Sequence, residues 1–274
     1  MPLDARFYET VAPLCMPGMG TEEVGPLLYS LVRMTRPHRA LEVGLGYTSA
    51  FLAQALADNV VSFESDREIV RTHDKGFYRA TLSTDYHQTA VYAPTLHAID
   101  DHSLDGRTSA PQVLEALEKL GLRPLVTLWQ GDFRGKSAEM GLDARPLDFV
   151  WFDCGGIDEY VDFINEYWDL ITLDNGMLLL HFTYWTLEKK HSGPRVREQV
   201  MVMGSIANEI KRQQLSAGLD APFELLSLVE PHKSRQGSVT MIRRVTPQSM
   251  ARPADFQTEV SQVFGERPKP IRKL

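Results

Sequence analysis

In a chain of 274 residues, the stretch "LEVGLGYTSAFLAQAL" (41 to 56) holds the first residues with chemical potential. An apolar run meets Gly44 and Gly46, and a helical pattern in Phe51, Leu52, Ala55 and Leu56 follows at once. A strand, a tight glycine turn and a helix N-terminus form a device for holding nucleotide-like cofactors. Glu42, just before the turn, selects among them. A pyrophosphate would be repelled by this acid in a partly dry site, and no third glycine stands at Ser49 to complete the dinucleotide pattern. S-adenosyl-L-methionine has no phosphate and carries a sulfonium and an ammonium, which an acid attracts. Glu42, Gly44, Gly46, Thr48 and Ser49 are therefore the turn residues expected to contact the cofactor.

The elements that must position this turn are read from periodicity. The spacing predicts a helix over 22–35, ending before Pro37. Strands are expected at 40–43, 59–66 ("NVVSFESD"), 123–132, 146–154 and 176–185, with helices at 111–121, 157–171 and 194–215. Strands alternating with helices imply a parallel sheet covered on both faces. The last two strands, 223–231 and 237–245, are joined by too short a segment for a crossover and must pair antiparallel. Residues 1–38 read as an N-terminal helical segment, 39–246 as the main domain and 247–274 as a tail. About 40 residues separate the expected second strand from the helix at 111–121, well beyond the usual connection. This stretch, about 72–110, reads as an insertion. Its tyrosines and histidines suggest a wall over a ligand, while His87, His97 and His102 are too scattered for a zinc site.

A net charge of −7 argues against a general nucleic-acid binder. No apolar run is long enough to span a membrane, no signal peptide is visible, and Cys15 and Cys154 form no metal spacing. A cytoplasmic, reduced protein is expected.

Together, Glu42-x-Gly44-x-Gly46 and the ordered segments after it resemble class I S-adenosylmethionine-dependent methyltransferases over about residues 20 to 245. The resemblance implies an α/β fold with a Rossmann-like seven-stranded sheet, helices on both faces and an antiparallel final hairpin. Glu64, about 20 residues after Gly44, falls where the ribose-binding acid is expected, with Asp66 as its rival. Gly131-Asp132-Phe133 resembles the adenine-contacting segment, Asp132 accepting from the exocyclic amine and Phe133 flanking the ring. "LDFVWFD" resembles the fourth-strand motif and ends at Asp153, a residue that could hold the methionine ammonium.

Within the class, 148 to 185 look most like the catechol O-methyltransferase-like branch. That branch binds magnesium with an Asp after the fourth strand and an Asp-Asn pair after the fifth, oxygen ligands that suit this ion. Asp153 matches the first position. His181-Phe182 stands where Asp-Asn would stand, and Asp174-Asn175 lies at the wrong end of the strand. No metal is expected. His181, at the C-terminal end of a central strand, then becomes the candidate base for the acceptor's proton, with Asp153 orienting it. Tyr184 and Trp185 could wall the acceptor.

The function expected is metal-independent O-methylation of a small-molecule acceptor. The alternatives are an N-methyltransferase, an aminopropyl transferase of the spermidine-synthase type, and a non-catalytic partner subunit with the same fold. Neither nucleic acid nor membrane is expected as a partner; a homodimer is the one assembly entertained.

Overall fold

The computed structural model describes residues 3–18, 20–72, 82, 84–102, 108–142, 145–154, 157–189, 196–201, 204–217, 221–230 and 238–246. Two short helical pieces, α1 (Ala5–Val11) and a 3-10 turn (Ala12–Leu14), lead to α2 (Val24–Thr35). The chain then enters β1 (Arg39–Val43), turns at Gly44 and forms α3 (Tyr47–Thr72). After α4 (Thr84–Thr89) come β2 (Thr95–Asp100), α5 (Ala110–Lys119), β3 (Val126–Gln130) and a single-turn α6 (Lys136–Glu139). Next are β4 (Phe149–Phe152), α7 (Ile157–Tyr167), β5 (Met177–His181), the hairpin β6 (Tyr184–Lys189) and β7 (Val196–Met201), α8 (Gly204–Ala217), β8 (Phe223–Leu228) and β9 (Val239–Arg244).

Seven strands form one sheet in the order β3-β2-β1-β4-β5-β9-β8. β1 to β5 run parallel, and β9 joins β5 antiparallel before pairing with β8. The expected sheet and its final hairpin are both present. Alternate residues of the central strands enter two cores. Ala40, Leu96, Ala98, Trp151 and Leu179 pack against α2, α3 and α5, while Leu41, Val43, Ile99, Val150, Phe152 and Leu178 pack against α7. Phe7, Val11, Val24, Leu28 and Val32 belong to the first core, so the N-terminal helices are part of this domain rather than a segment appended to it.

Two expectations fail for one reason. Residues 59–66 are not a strand but the continuation of the 26-residue α3. Leu52, Leu56, Asn59, Phe63 and Val70 are buried along it, a spacing of three to seven that keeps one helical stripe against the core. The β-branched pair Val60-Val61 imitates a strand locally, but tertiary burial overrides that propensity. The second strand is "TLHAID", inside the supposed insertion, its four middle residues buried. The 72–110 stretch therefore contributes a core strand of the sheet and is not an insertion throughout; residues 73–81, 83 and 103–107 lie outside the described residues. In the same way 194–215 is not one helix, since β7 precedes α8, and the fifth strand stops at His181 before β6 begins. The 247–274 tail lies outside the described residues.

Candidate active site

At the C-terminal edge of the sheet, β1 ends in the glycine turn. Gly44 has φ +99°, and a Cβ there would come within 2.7 Å of the Asp153 carbonyl oxygen. Only glycine meets both demands. This close approach brings the turn against the end of β4, where Asp153 N donates to the Val43 carbonyl at 3.0 Å. At Gly46 a Cβ would meet nothing within 4 Å, so the turn faces open space.

Glu42 lies beneath the turn, fully buried. Thr48 Oγ1 donates to its Oε1 at 2.6 Å, while Oε2 is buried with no partner among the described residues. Burial dominates its proton affinity and pushes the carboxyl from 4.5 up to about 8, against the lowering effect of Ser49 and Thr48. Ser49 Oγ accepts from Gly46 N at 2.9 Å. Thr48 and Ser49 are both buried, so they hold Glu42 and the turn from below and do not offer themselves to a ligand, as the sequence had suggested.

Glu64 is misplaced by the same helix that removed the expected strand. It is an exposed residue paired with Arg67 at 3.2 Å, roughly 25 Å along the axis from the start of α3. Asp66 pairs with Arg36 at 2.7 Å. The acids that do end the second strand are Asp100 and Asp101. Asp100 Oδ2 accepts from Leu45 N at 2.9 Å, inside the glycine turn, and Oδ1 accepts from His102 N at 2.9 Å. Ser109 Oγ secures the turn from the other side, donating to the Leu45 carbonyl at 3.0 Å. Sequence reasoning missed these residues because "TLHAIDD", a largely apolar run closed by two acids, falls inside the stretch taken for an insertion.

Asp132 follows β3 as expected, but its carboxylate accepts from Arg134 N at 2.8 Å and Arg134 Nη1 at 2.9 Å. Phe133 does not flank an open site. It is buried against Phe152, Phe163 and Tyr167, and Tyr167 Oη donates to its carbonyl at 2.6 Å.

Asp153 and His181 meet, with His181 Nδ1 2.6 Å from Asp153 Oδ1. The ring is fully buried and packs near Trp151 at a centroid separation of 5.3 Å. Nε2 lies 3.2 Å from the Gly20 carbonyl oxygen, a contact invisible in the sequence because it spans 161 positions. Both partners are acceptors, and a neutral ring has one N–H to give: with that proton on Nδ1 toward Asp153, Nε2 turns its lone pair to the Gly20 carbonyl oxygen. The strand end is fixed further by Tyr160 Oη, which donates to the His181 carbonyl, and by the left-handed backbone of Phe182, φ +49°. The side chains of Tyr184 and Trp185 lie outside the described residues. No group of three or more metal-ligating side chains occurs among the described residues.

No protein-family model matches the chain, and no curated protein does. Solved structures do. The O-methyltransferase TomG from Streptomyces achromogenes, involved in tomaymycin synthesis and solved with SAM, is 14% identical over 89% of this chain and 91% of that chain, with a TM-score of 0.50. An O-methyltransferase from Bacillus cereus in complex with SAH is 12% identical over 89% and 92%, with a TM-score of 0.49. The likeness to TomG shows a shared fold.

Proposed function

We propose that the chain is an S-adenosylmethionine-dependent methyltransferase that methylates an oxygen of a small molecule. The observation that carries this reading is the buried, partnerless Glu42 oxygen under an open glycine turn. A buried acid without a full set of partners is costly, and a cationic ligand above the turn relieves that cost. With Asp100 and Asp153 on the neighbouring strand ends, the site fits a cofactor of positive charge and disfavours one carrying phosphates. TomG, of the same fold, is named as an O-methyltransferase.

When bound, the cofactor supplies a methyl group on a positively charged sulfur. Gly44 and Gly46 give it backbone contact without side-chain obstruction, Glu42, held protonated by burial in the ligand-free chain, ionises beneath the positive sulfur, and the Asp100-Asp101 pair takes the ribose role first given to Glu64. Asp153 holds the Nδ1 proton of His181. With the ring neutral and its one proton on Nδ1, Nε2 takes the acceptor's proton once the Gly20 carbonyl oxygen no longer stands against it. The residues support a reaction without metal: the Phe182 side chain has no donor atom, and His181 is turned onto Asp153. The two cysteines are free, and no helix among the described residues is long and apolar enough to cross a membrane, which fits the cytoplasmic setting proposed here.

Calorimetric titration with S-adenosylmethionine tests the reading. Saturable binding that is weakened in E42Q, with turnover that survives EDTA, is the expected result. Preference for the decarboxylated cofactor would move the chain to the aminopropyl transferases, and no binding of either would make it a non-catalytic relative.

A further inference from the structure

At the opposite edge of the sheet, on the face turned away from α2 and α3, β1 and β2 open a cleft of about 600 Å³. His38, Arg39, Thr95, His97, Thr127 and Arg145 line it. Its hydrogen-bonding groups do not balance. Trp129 Nε1 lies 3.1 Å from His97 Nδ1, and an indole N–H can only donate. His97 Nδ1 is therefore an acceptor, and the ring proton sits on Nε2. Burial first and then Arg39 push His97 down to about 4, so the ring is neutral near pH 7 with that single proton.

His97 Nε2 stands 3.5 Å from Arg39 Nη2. Both atoms carry hydrogen and neither can accept, so this contact is two donors side by side. Arg39 Nη2 has a long approach to the Met140 carbonyl at 3.4 Å, and Arg39 Nη1 is buried with no partner among the described residues. Arg145 is near enough to disfavour the charge on Arg39. The one acid opposing this, Asp148, directs its oxygens to His38 N, Arg39 N and Thr172 Oγ1. Arg39, Arg145 and the His97 N–H thus line one cleft, and no carboxylate lines it among the described residues.

We propose that this cleft binds a phosphate group, free or carried on a small metabolite. A tetrahedral dianion offers several acceptor oxygens and meets the donors of both arginines at once, with the Thr95 and Thr127 hydroxyls at its rim. The site is distinct from the glycine turn: Arg39 and Val43 are the two ends of β1, roughly 13 Å apart, and odd and even positions face opposite sides. It stands whether or not the chain transfers methyl groups.

The full chain, labelled with ¹⁵N-histidine, is titrated with inorganic phosphate and separately with glycerol phosphate at constant ionic strength. The His97 signal is identified by its loss in H97Q. Saturable movement of the Nε2 resonance is expected, weakened about tenfold or more in R145Q, which removes one charged donor from an exposed position. Tighter binding of glycerol phosphate would assign the site to a phosphorylated metabolite, and tighter binding of inorganic phosphate to the free anion. A His97 signal that does not move up to ~20 mM of either, or an R145Q variant that binds as the parent does, would overturn the proposal.

Discussion

β1 carries a buried acid near one end and a half-buried guanidinium at the other. Glu42 and Arg39 are three residues apart, so they face opposite sides of the sheet. Burial works against both: it raises Glu42 and lowers Arg39, in each case as the first cause. Each also keeps one buried polar atom without a partner among the described residues. Their supports differ. Glu42 is gripped by Thr48 from the helix that follows it, and the turn above it is fastened by Asp100 and Ser109. Arg39 is set beside another donor, His97, and near a second guanidinium. The acidic edge is a braced carboxyl beneath an open turn, whereas the basic edge is an unbalanced set of donors. Strand geometry keeps the two from neutralising each other.

Substitutions at the acidic edge put this contrast at risk in decreasing order. H181A should lower turnover by about 10²- to 10⁴-fold, with cofactor affinity little changed, if Nε2 takes the acceptor's proton. Rates measured against pH decide the matter, because with a general base the rate falls on the acidic side as the base protonates, a limb that disappears in the variant, whereas a ring that only packs gives no such limb. Next comes the protonation of Glu42. Its folded value of about 8 exceeds its ordinary 4.5, so the folded chain binds more protons than the unfolded one between those values. Stability should therefore be fully present below about pH 4.5 and fall as pH rises through about 8. Melting temperatures of the ligand-free chain should show that slope, and E42Q should flatten it; equal slopes in both would remove Glu42 from the account.

G44A should cost about 2 kcal/mol or more, because a side chain at φ +99° would also meet the Asp153 carbonyl. G46A, with open space around it, should be close to neutral in a denaturant melt, and similar losses for both would mean the turn is not shaped by that close approach. D100N should weaken S-adenosylmethionine by about 1–3 kcal/mol, the range for charged hydrogen bonds. E64A supplies the smallest effect: its exposed pair with Arg67 is worth about 0–1 kcal/mol, and cofactor titrations should not distinguish it from the parent. A cofactor defect in E64A with D100N unaffected would reverse the reassignment of the ribose acid.

Most strands were legible because buried apolar runs bounded by turn residues have few other readings. "LDFVWFD" and "GMLLLH" are of this kind, and both lie in the sheet. The glycine turn was legible for a steric reason, since two glycines between a strand and a helix mark a backbone that side chains would obstruct. The second strand was lost because α3 runs on past the length at which such helices usually end, and a β-branched pair inside it looks extended when read alone. Misplacing the strand misplaced the acid with it, so Asp100 went unseen. The Asp153–His181 pair was within reach because both are strand ends, two neighbours in the expected sheet order. The Gly20 contact and the His97–Arg39 pair were not, since each depends on segments far apart in the chain.

The long α3 has a consequence for how the chain is built. It forms a hairpin with α2, joined by Tyr29 Oη to Asp58 at 2.8 Å and by Asn59 Nδ2 to the Val32 carbonyl at 2.8 Å. These contacts are complete once residue 72 has been made. β1, lying between the two helices in sequence, must wait for both of its neighbours: Arg39 pairs with Thr95, and Ala40 with Phe149. During synthesis a finished helical pair therefore carries an incompletely paired, apolar strand until more than half of the chain has been made. Parallel pairing over such separations is slow to nucleate, and an exposed strand edge is the surface on which incomplete chains associate. β1, flanked by strands on both sides and buried over its last four residues in the native molecule, is exposed in the nascent chain.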